Sequence, residues 1–186
     1  MQIEATKKLF TVDDYYRMAE FGILSPEDRV ELIDGEIIEM SPMGTRHISC
    51  VMRATQAFSG AFKGKAMVSV QLPLRLSNYT EPEPDLTLLK SRADFYAAQK
   101  PAAKDAYLVL EVSDTTLDFD RNVKLPRYAA AGILEVWIAN LQEDLLLVYR
   151  EPSGNSYKTN RILRRGDPIS VAAFPEVVFK VEDFLG

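Results

Sequence analysis

Residues 107–114, with the sequence YLVLEVSD, form the stretch on which the fold prediction rests. Apolar side chains occupy both alternating faces of this stretch apart from Glu111 and Ser113, a pattern typical of an interior strand in a sheet that is covered on both sides. In such a strand Glu111 and Ser113 share one face near the carboxyl end. Because α/β sheets often hold their sites at that end, Glu111 is the first candidate functional residue.

Strand and helix patterns continue on both sides of this segment. Before it, the sequence predicts a helix at 11–20, a hairpin split at Asp34-Gly35, a helix at 45–62, a strand run at 66–76 that Pro73 interrupts, and a strand at 85–89. After it come a helix within 120–131, strands at 134–141, 145–150 and 156–163, and a final short strand or extended segment with a turn. We therefore predict an α/β (α+β) fold in one domain, residues 1–186, with a central mixed sheet flanked by helices and a β-rich C-terminal third.

Single residues add detail to the three helices. Thr11 is a predicted cap with Asp14 in the first turn, and Gly22 is expected to close the helix. Pro126 is tolerated only in a first turn, so the regular part of the third helix is expected to begin as late as 123–125, after an irregular turn. The helix at 45–62 is predicted to bury one stripe: Ile48, Val51, Met52, Ala54, Thr55 and Phe58.

Composition excludes several classes of site. The only cysteine is Cys50, which rules out an intramolecular disulfide and a cysteine-based zinc site, and the only histidine is His47, which rules out a multi-histidine metal site. The net charge of −5 counts against a general nucleic-acid coat protein. No apolar run reaches the roughly 20 residues that span a bilayer, and the first ten residues contain no apolar core of signal-peptide length. We expect a cytoplasmic protein without a membrane partner.

Two acidic residues stand out as candidates for chemistry. An unpaired carboxylate at Glu111 would be costly in a dry sheet, so a cation, a proton or a metal must compensate it. The alternative, a strand-end glutamate that faces solvent or pairs with an arginine, stays open. Asp85 follows Pro84 at the start of another predicted strand. Carboxylates on adjacent strands are ligands that Mg²⁺ or Mn²⁺ prefers, with waters and phosphate oxygens completing the coordination.

The order of these motifs resembles a known group of nucleases. Pro84-Asp85 followed by EVS at 111–113 is similar to the PD-(D/E)XK nuclease superfamily. The longer runs RVELIDGEIIEMSP, EPEPDLTLL, LVLEVSDTT and DRNVKLPRYAAAGILEVWIANL resemble the Uma-two family of proposed endonucleases, from about residue 11 to the C-terminus. The resemblance implies a restriction-endonuclease-like fold and metal-dependent cleavage of DNA, with Mg²⁺ or Mn²⁺ as cofactor.

The resemblance also assigns roles to residues. It implies that Asp85 and Glu111 are catalytic and bind the metal. The lysine that the superfamily places two residues after the glutamate is Ser113 here, and the resemblance points to Lys124 on the following helix as its replacement. The alternative for Lys124 is a solvated helix lysine paired with Asp120.

Further residues are candidates for supporting roles. Glu31 lies in the first hairpin strand, where the family also carries an acid, and is expected to be either an outer metal ligand or one of several surface charges. Gln71 and His47 are candidates for contact with a phosphate or a ligand water. Asp120, Lys124 and Tyr128 would share one helix face if helical geometry holds throughout. An exposed basic cluster is expected to contact phosphate or simply to be solvated: Lys158, Arg161, Arg164 and Arg165.

Three functions remain open from the sequence. The first is a metal-dependent endonuclease that hydrolyses phosphodiester bonds in DNA, acting as a homodimer by analogy with enzymes that cut two strands. The second is an inactive nucleic-acid-binding or regulatory module, which the missing third-motif lysine and the acidic pI of about 5.0 favour. The third is a metal-free hydrolase with two carboxylates, such as a glycosidase, in which Lys124 would have no role.

Overall fold

A computed structural model describes residues 6–186 of the chain. Residues 1–5, which belong to the segment where we predict no signal peptide, lie outside the described residues. The helices are α1 (Val12–Glu20), α2 (Thr45–Ala61), α3 (Leu117–Phe119), α4 (Leu125–Ala130) and α5 (Glu182–Leu185), with a 3-10 turn at Ala103–Asp105 and a π-helical turn at Asp120–Lys124. Within this part of the chain, no helix is long and apolar enough to cross a membrane.

The strands confirm a mixed sheet and a β-rich C-terminal third. They are β1 (Val30–Ile33), β2 (Glu36–Glu39), β3 (Ala66–Val70), β4 (Leu86–Lys90), β5 (Ala106–Ser113), β6 (Glu135–Asn140), β7 (Leu145–Ser153), β8 (Ser156–Leu163), β9 (Pro168–Ile169) and β10 (Phe179–Lys180). Six of them form the central sheet in the order β3-β4-β5-β6-β7-β8, while β1 pairs with β2 and β9 with β10.

The strand directions bring distant parts of the sequence to one edge of the sheet. Only the β5–β6 pair is parallel, and the helical segment between these strands provides the crossover that a parallel pair requires. Strand ends from six strands therefore lie at the same end of the sheet: the carboxyl ends of β3, β5, β6 and β8 and the amino ends of β4 and β7. We call this end of the sheet, where the strands begin or finish, the Ser113 edge, after the last residue of β5.

Helices cover both faces of the sheet, as the apolar pattern of 107–114 predicts. On one face, Phe58 of α2 and Phe184 of α5 pack edge-to-face or tilted against Trp137, and Val112 belongs to the same core. On the other face, Tyr128 of α4 packs with residues of β5 and β6. Trp137, Val136 and Ile138 are core residues.

The predicted stripe on α2 is partly wrong. Val51, Ala54 and Phe58 are buried, but Ile48 and Met52 are 43% and 67% exposed. Successive residues are about 100° apart around a helix, so these two positions fall on the flank of the buried face and not against the sheet.

Turn residues behave as the sequence indicates, with one correction. Asp34 and Gly35 have φ of 51° and 78°, as a two-residue hairpin turn between β1 and β2 requires. Thr11 and Asp14 form a capping box on α1. The strand predicted to run to residue 76 instead ends at Val70. Gln71 has φ of 49°, which turns the chain out of the sheet before Pro73.

The helical crossover is irregular where Pro126 predicts it. Pro126 lies in the first turn of α4, and the π-helical turn Asp120–Lys124 directly precedes that helix. Leu125 N–H donates to the Asp120 carbonyl, five residues back. This wider turn leads into α4 just before Pro126, which has no N–H to donate. Asp120 and Lys124 both become buried in this turn.

Candidate active site

A cleft of about 570 Å³ opens at the Ser113 edge. Its walls come from three segments: residues 38–44 from the end of β2 to the start of α2, the first turn of α2, and residues 112–120 that lead into the crossover. Asp85, Glu111, Lys124 and Glu31 also line the cleft, and the last three are almost fully buried. The sequence therefore brings its three principal candidates and Glu31 to a single opening.

Asp85 is held from three sides. It directly precedes β4, and its Oδ2 accepts a hydrogen bond of 2.8 Å from the Val112 N–H on the neighbouring strand. Its Oδ1 lies 2.8 Å from His47 Nε2 and 3.2 Å from Gln71 Nε2. Burial would lower the pKa of His47, but the hydrogen bond and charge of Asp85, together with the nearby charges of Asp120 and Asp114, outweigh it and leave that pKa above its usual value. His47 and Gln71 thus contact the carboxylate, a contact that the sequence did not predict.

Glu111 points into the same cleft and is buried. Its Oε1 accepts hydrogen bonds from the Tyr128 hydroxyl at 2.5 Å and lies 3.3 Å from Lys124 Nζ, while Oε2 lies 3.4 Å from the backbone nitrogen of Asp85. The alternative of a solvent-facing or arginine-paired glutamate is wrong. Burial raises the pKa of Glu111 above its usual value, and the carboxylates of Asp120 and Asp85 add to the effect against the opposing charge of Lys124.

Lys124 lies between two carboxylates. Its Nζ is 3.1 Å from Glu31 Oε2 and 3.3 Å from Glu111 Oε1, and its side chain is 8% exposed. The alternative of a solvated lysine is wrong, and so is the alternative of a surface charge for Glu31, whose side chain is 2% exposed. Burial would lower the pKa of Lys124, but Glu111, Glu31 and Asp120 outweigh it, and the lysine stays protonated.

Asp120, Lys124 and Tyr128 are all buried on the side of the crossover that faces β5, although Asp120–Lys124 is a π turn and not regular helix. Asp120 Oδ2 accepts hydrogen bonds of 2.7 Å from the hydroxyls of Ser113 and Thr116. Burial raises the pKa of Asp120. Ser113 lies where the superfamily places a lysine, and here its hydroxyl orients Asp120 at the wall of the cleft.

Two residues of the site were missed. Thr116 holds Asp120, and Glu83 lines the cleft with its backbone N–H 3.2 Å from Glu31 Oε2. Burial and the charge of Glu31 raise the pKa of Glu83. The alternating acids of EPEPD contain a signal for Glu83, because residues 83 and 85 share one side of an extended chain.

The basic cluster does not belong to the cleft. Its members are exposed and none lines the opening: Lys158, Arg161, Arg164 and Arg165. Arg165 instead lies 3.5 Å from Asp144. The geometry of the site therefore does not support a phosphate contact by this cluster, and the alternative of a solvated surface cluster fits its exposure.

The donor set at the Ser113 edge fits a divalent cation that shares its coordination with substrate. Within residues 6–186 no three histidine, cysteine, aspartate or glutamate side chains form a group that could hold an ion by themselves. Mg²⁺, however, is commonly bound through one or two carboxylates plus waters and phosphate oxygens. Asp85 and Glu111 supply two neighbouring carboxylates. Little positive charge is buried around them, and a cation would offset their negative charge.

The sequence matches a family model over most of its length. The model of the Uma2 (Uma-two) family, described as "Putative restriction endonuclease", matches residues 12–182. The chain belongs to the Uma2 family. A search among curated proteins found no match.

Solved structures support the fold of this Uma2-family protein. A crystal structure described as a "putative nuclease belonging to DUF820" from Anabaena variabilis is similar with a TM-score of 0.72 at 14% identity, covering 95% of this chain and 97% of that chain. The type IIG restriction endonuclease BpuSI aligns with a TM-score of 0.44 at 15% identity, over 78% of this chain and 16% of that chain. The match to the Anabaena variabilis structure confirms the predicted α/β (α+β) fold with a central mixed sheet.

Proposed function

We propose that this Uma2-family protein hydrolyses phosphodiester bonds in DNA with Mg²⁺ or Mn²⁺ bound at Asp85 and Glu111. One observation carries the proposal: two neighbouring carboxylates and a buried lysine converge in the lining of one cleft. Carboxylates that only stabilise a fold need no access to solvent. Here they line an opening where a substrate can enter.

The carboxylates are positioned before substrate arrives. His47, Gln71 and the Val112 N–H hold Asp85, and the Tyr128 hydroxyl holds Glu111. A bound divalent cation supplies Lewis-acid neutralisation of the phosphate charge. The protein contributes two carboxylates whose orientation these hydrogen bonds fix in advance.

Lys124 acts as a fixed positive charge. In the reaction a water oxygen bonds to phosphorus, one P–O ester bond breaks, and the leaving oxygen takes up a proton. A protonated lysine cannot remove a proton from that water, but its N–H groups can orient the water and offset negative charge that develops on the phosphate. Glu31 holds Lys124 in place at 3.1 Å and lends outer support to the site.

A cleavage assay with and without metal tests this proposal. Supercoiled plasmid and circular single-stranded DNA are incubated with Mg²⁺ or Mn²⁺ and wild-type protein, Asp85→Ala, Glu111→Ala or Lys124→Ala. We expect metal-dependent cleavage by the wild type and none by the first two variants, with strong loss in the third. Cleavage that is equal in wild type and variants would show a contaminating nuclease and reject the proposal.

The second candidate is a module of the same fold that binds nucleic acid without turnover. It is favoured by the hydrogen bonds that already occupy both oxygens of Asp85 and by the two carboxylates that flank Lys124. Wild-type protein that binds DNA in the same assay but never cuts it, with either metal, would establish this candidate.

A further inference from the structure

The depth of the candidate residues limits which form of DNA can reach them. The side chains of Glu111 and Lys124 are 3% and 8% exposed, and that of Asp85 is 13% exposed. Base-paired DNA is a stiff double helix, with a major groove of about 12 Å, that presents its phosphates on its outer surface. Side chains buried this deeply favour a strand that has left the duplex, because such a strand can bend into a cleft of about 570 Å³.

The charge of the opening adds a second restriction. Within the described part of the chain, eight carboxylates line the cleft against two cations, Arg29 and Lys124. Glu39, Asp114 and Asp118 lie among the more accessible of these acids. Duplex DNA carries about one negative charge per 1.7 Å of axis, roughly twice the density of one strand, so the acidic rim repels a duplex more strongly.

Apolar side chains form part of the walls. Met40 and Met43 from the segment before α2 and Phe119 at the end of α3 line the cleft, and all three are half-buried. Aromatic rings and methionine side chains provide the surfaces on which unpaired bases pack without regard to sequence. Pockets of about 300–1,000 Å³ enclose small ligands, a range that includes a single nucleotide.

We infer that the cleft binds one unpaired nucleotide of single-stranded DNA, with the base between Met40 and Phe119 and the phosphate directed toward Glu111 and Lys124. This inference rests on the proposed function and names its substrate. The wall residues are specificity determinants for unpaired DNA, and an intact duplex is a poor substrate.

Three oligonucleotides of the same sequence test the inference with wild-type protein and Mn²⁺. They are a single strand, a full duplex, and a duplex that contains an internal unpaired loop. We expect the single strand and the loop to be cut at least about tenfold faster than the duplex, with cuts in the looped substrate confined to the unpaired segment. Equal rates on the single strand and the full duplex would overturn the inference while leaving the proposed hydrolysis intact.

Variants of the wall separate base contact from a general loss of structure. Phe119→Ala is expected to raise KM for the single strand about tenfold with a smaller change in kcat, because stacking on an aromatic ring favours bound bases. Phe119→Tyr should restore KM. Leu134→Ala is the matched control, since Leu134 is 61% exposed and precedes β6 at the opposite end of the sheet. Identical KM values for Phe119→Ala and Leu134→Ala would overturn the inference.

Binding measurements keep the test independent of cleavage. Fluorescence anisotropy of labelled oligonucleotides, recorded with Ca²⁺ in place of Mn²⁺, should show tighter binding of the single strand than of the duplex and weaker binding by Phe119→Ala. If no substrate is cut but this order of affinities holds, the proposed hydrolysis fails and the nucleotide pocket stands. A duplex that binds more tightly than the single strand would reject the pocket.

Discussion

Two buried glutamates on neighbouring parallel strands have opposite surroundings. Glu135, at the start of β6, is completely buried, and Glu111, near the end of β5, is 2% exposed. Glu135 Oε1 accepts hydrogen bonds from Trp137 Nε1 at 2.6 Å and Arg150 Nε at 2.8 Å, and its Oε2 accepts one of 2.6 Å from the Ala172 N–H. Both carboxylate oxygens of Glu135 therefore accept hydrogen bonds from groups within the fold.

Glu111 has a different balance of charge. It shares Lys124 with Glu31, lies beside Asp85, and lines an open cleft, whereas Glu135 has an arginine of its own and lies at the opposite edge of the sheet. Burial alone therefore does not identify a functional carboxylate. The distinguishing property is a shortage of neighbouring positive charge at a place that a ligand can reach.

The largest expected effect is on the activity of Glu111→Gln. Glutamine keeps the size of the side chain and can still accept the Tyr128 hydrogen bond, so we expect the free energy of unfolding to change by less than about 1 kcal/mol. Because the charged ligand is lost, kcat/KM for DNA should fall by on the order of 10³-fold. Urea denaturation and steady-state kinetics measure the two quantities, and activity within tenfold of the wild type would contradict the assignment.

The next effect is on the stability of Glu135→Gln, the matched substitution on β6. Removing this charge leaves Arg150 unpaired, and because that arginine is a quarter exposed we expect a loss of about 2 kcal/mol in the free energy of unfolding, below the range for fully buried pairs. The folded variant should hydrolyse DNA at close to the wild-type rate. A variant as stable as Glu111→Gln would remove the distinction between the two glutamates.

A smaller effect is expected for Tyr128→Phe, which removes the hydroxyl that donates to Glu111. Loss of one buried hydrogen bond should cost about 1 kcal/mol of stability, and loss of a group that orients a ligand should lower kcat about tenfold with less change in KM. Tyr157→Phe is the control, because its hydroxyl donates to the Ile133 carbonyl away from the cleft. Equal kcat values for the two variants would show that Tyr128 is only structural.

Local structure and Glu111 could be predicted because they depend on short patterns, whereas the candidates Lys124 and Glu31 came from the family resemblance. YLVLEVSD identifies an interior strand with an acid on one face, and Pro126 identifies the irregular turn. The pairing of Glu31 with Lys124 could not be predicted, because it depends on how the β1–β2 hairpin packs at the Ser113 edge. Arg150 of β7 and Ala172 in the loop after β9, which are distant partners of Glu135, cannot be found from a local pattern, so the sequence does not mark that glutamate as structural.

Isothermal titration calorimetry with Mn²⁺ tests the central claim most directly, because it asks whether the carboxylates at the Ser113 edge hold a divalent cation. Wild type, Glu111→Gln and Glu135→Gln are titrated under the same conditions, with saturating thymidine 5′-monophosphate present to supply phosphate oxygens. We expect wild type and Glu135→Gln to bind Mn²⁺ with the same affinity and Glu111→Gln to show no binding heat. Binding by Glu111→Gln that equals the wild type, or no binding by the wild type, would contradict the account.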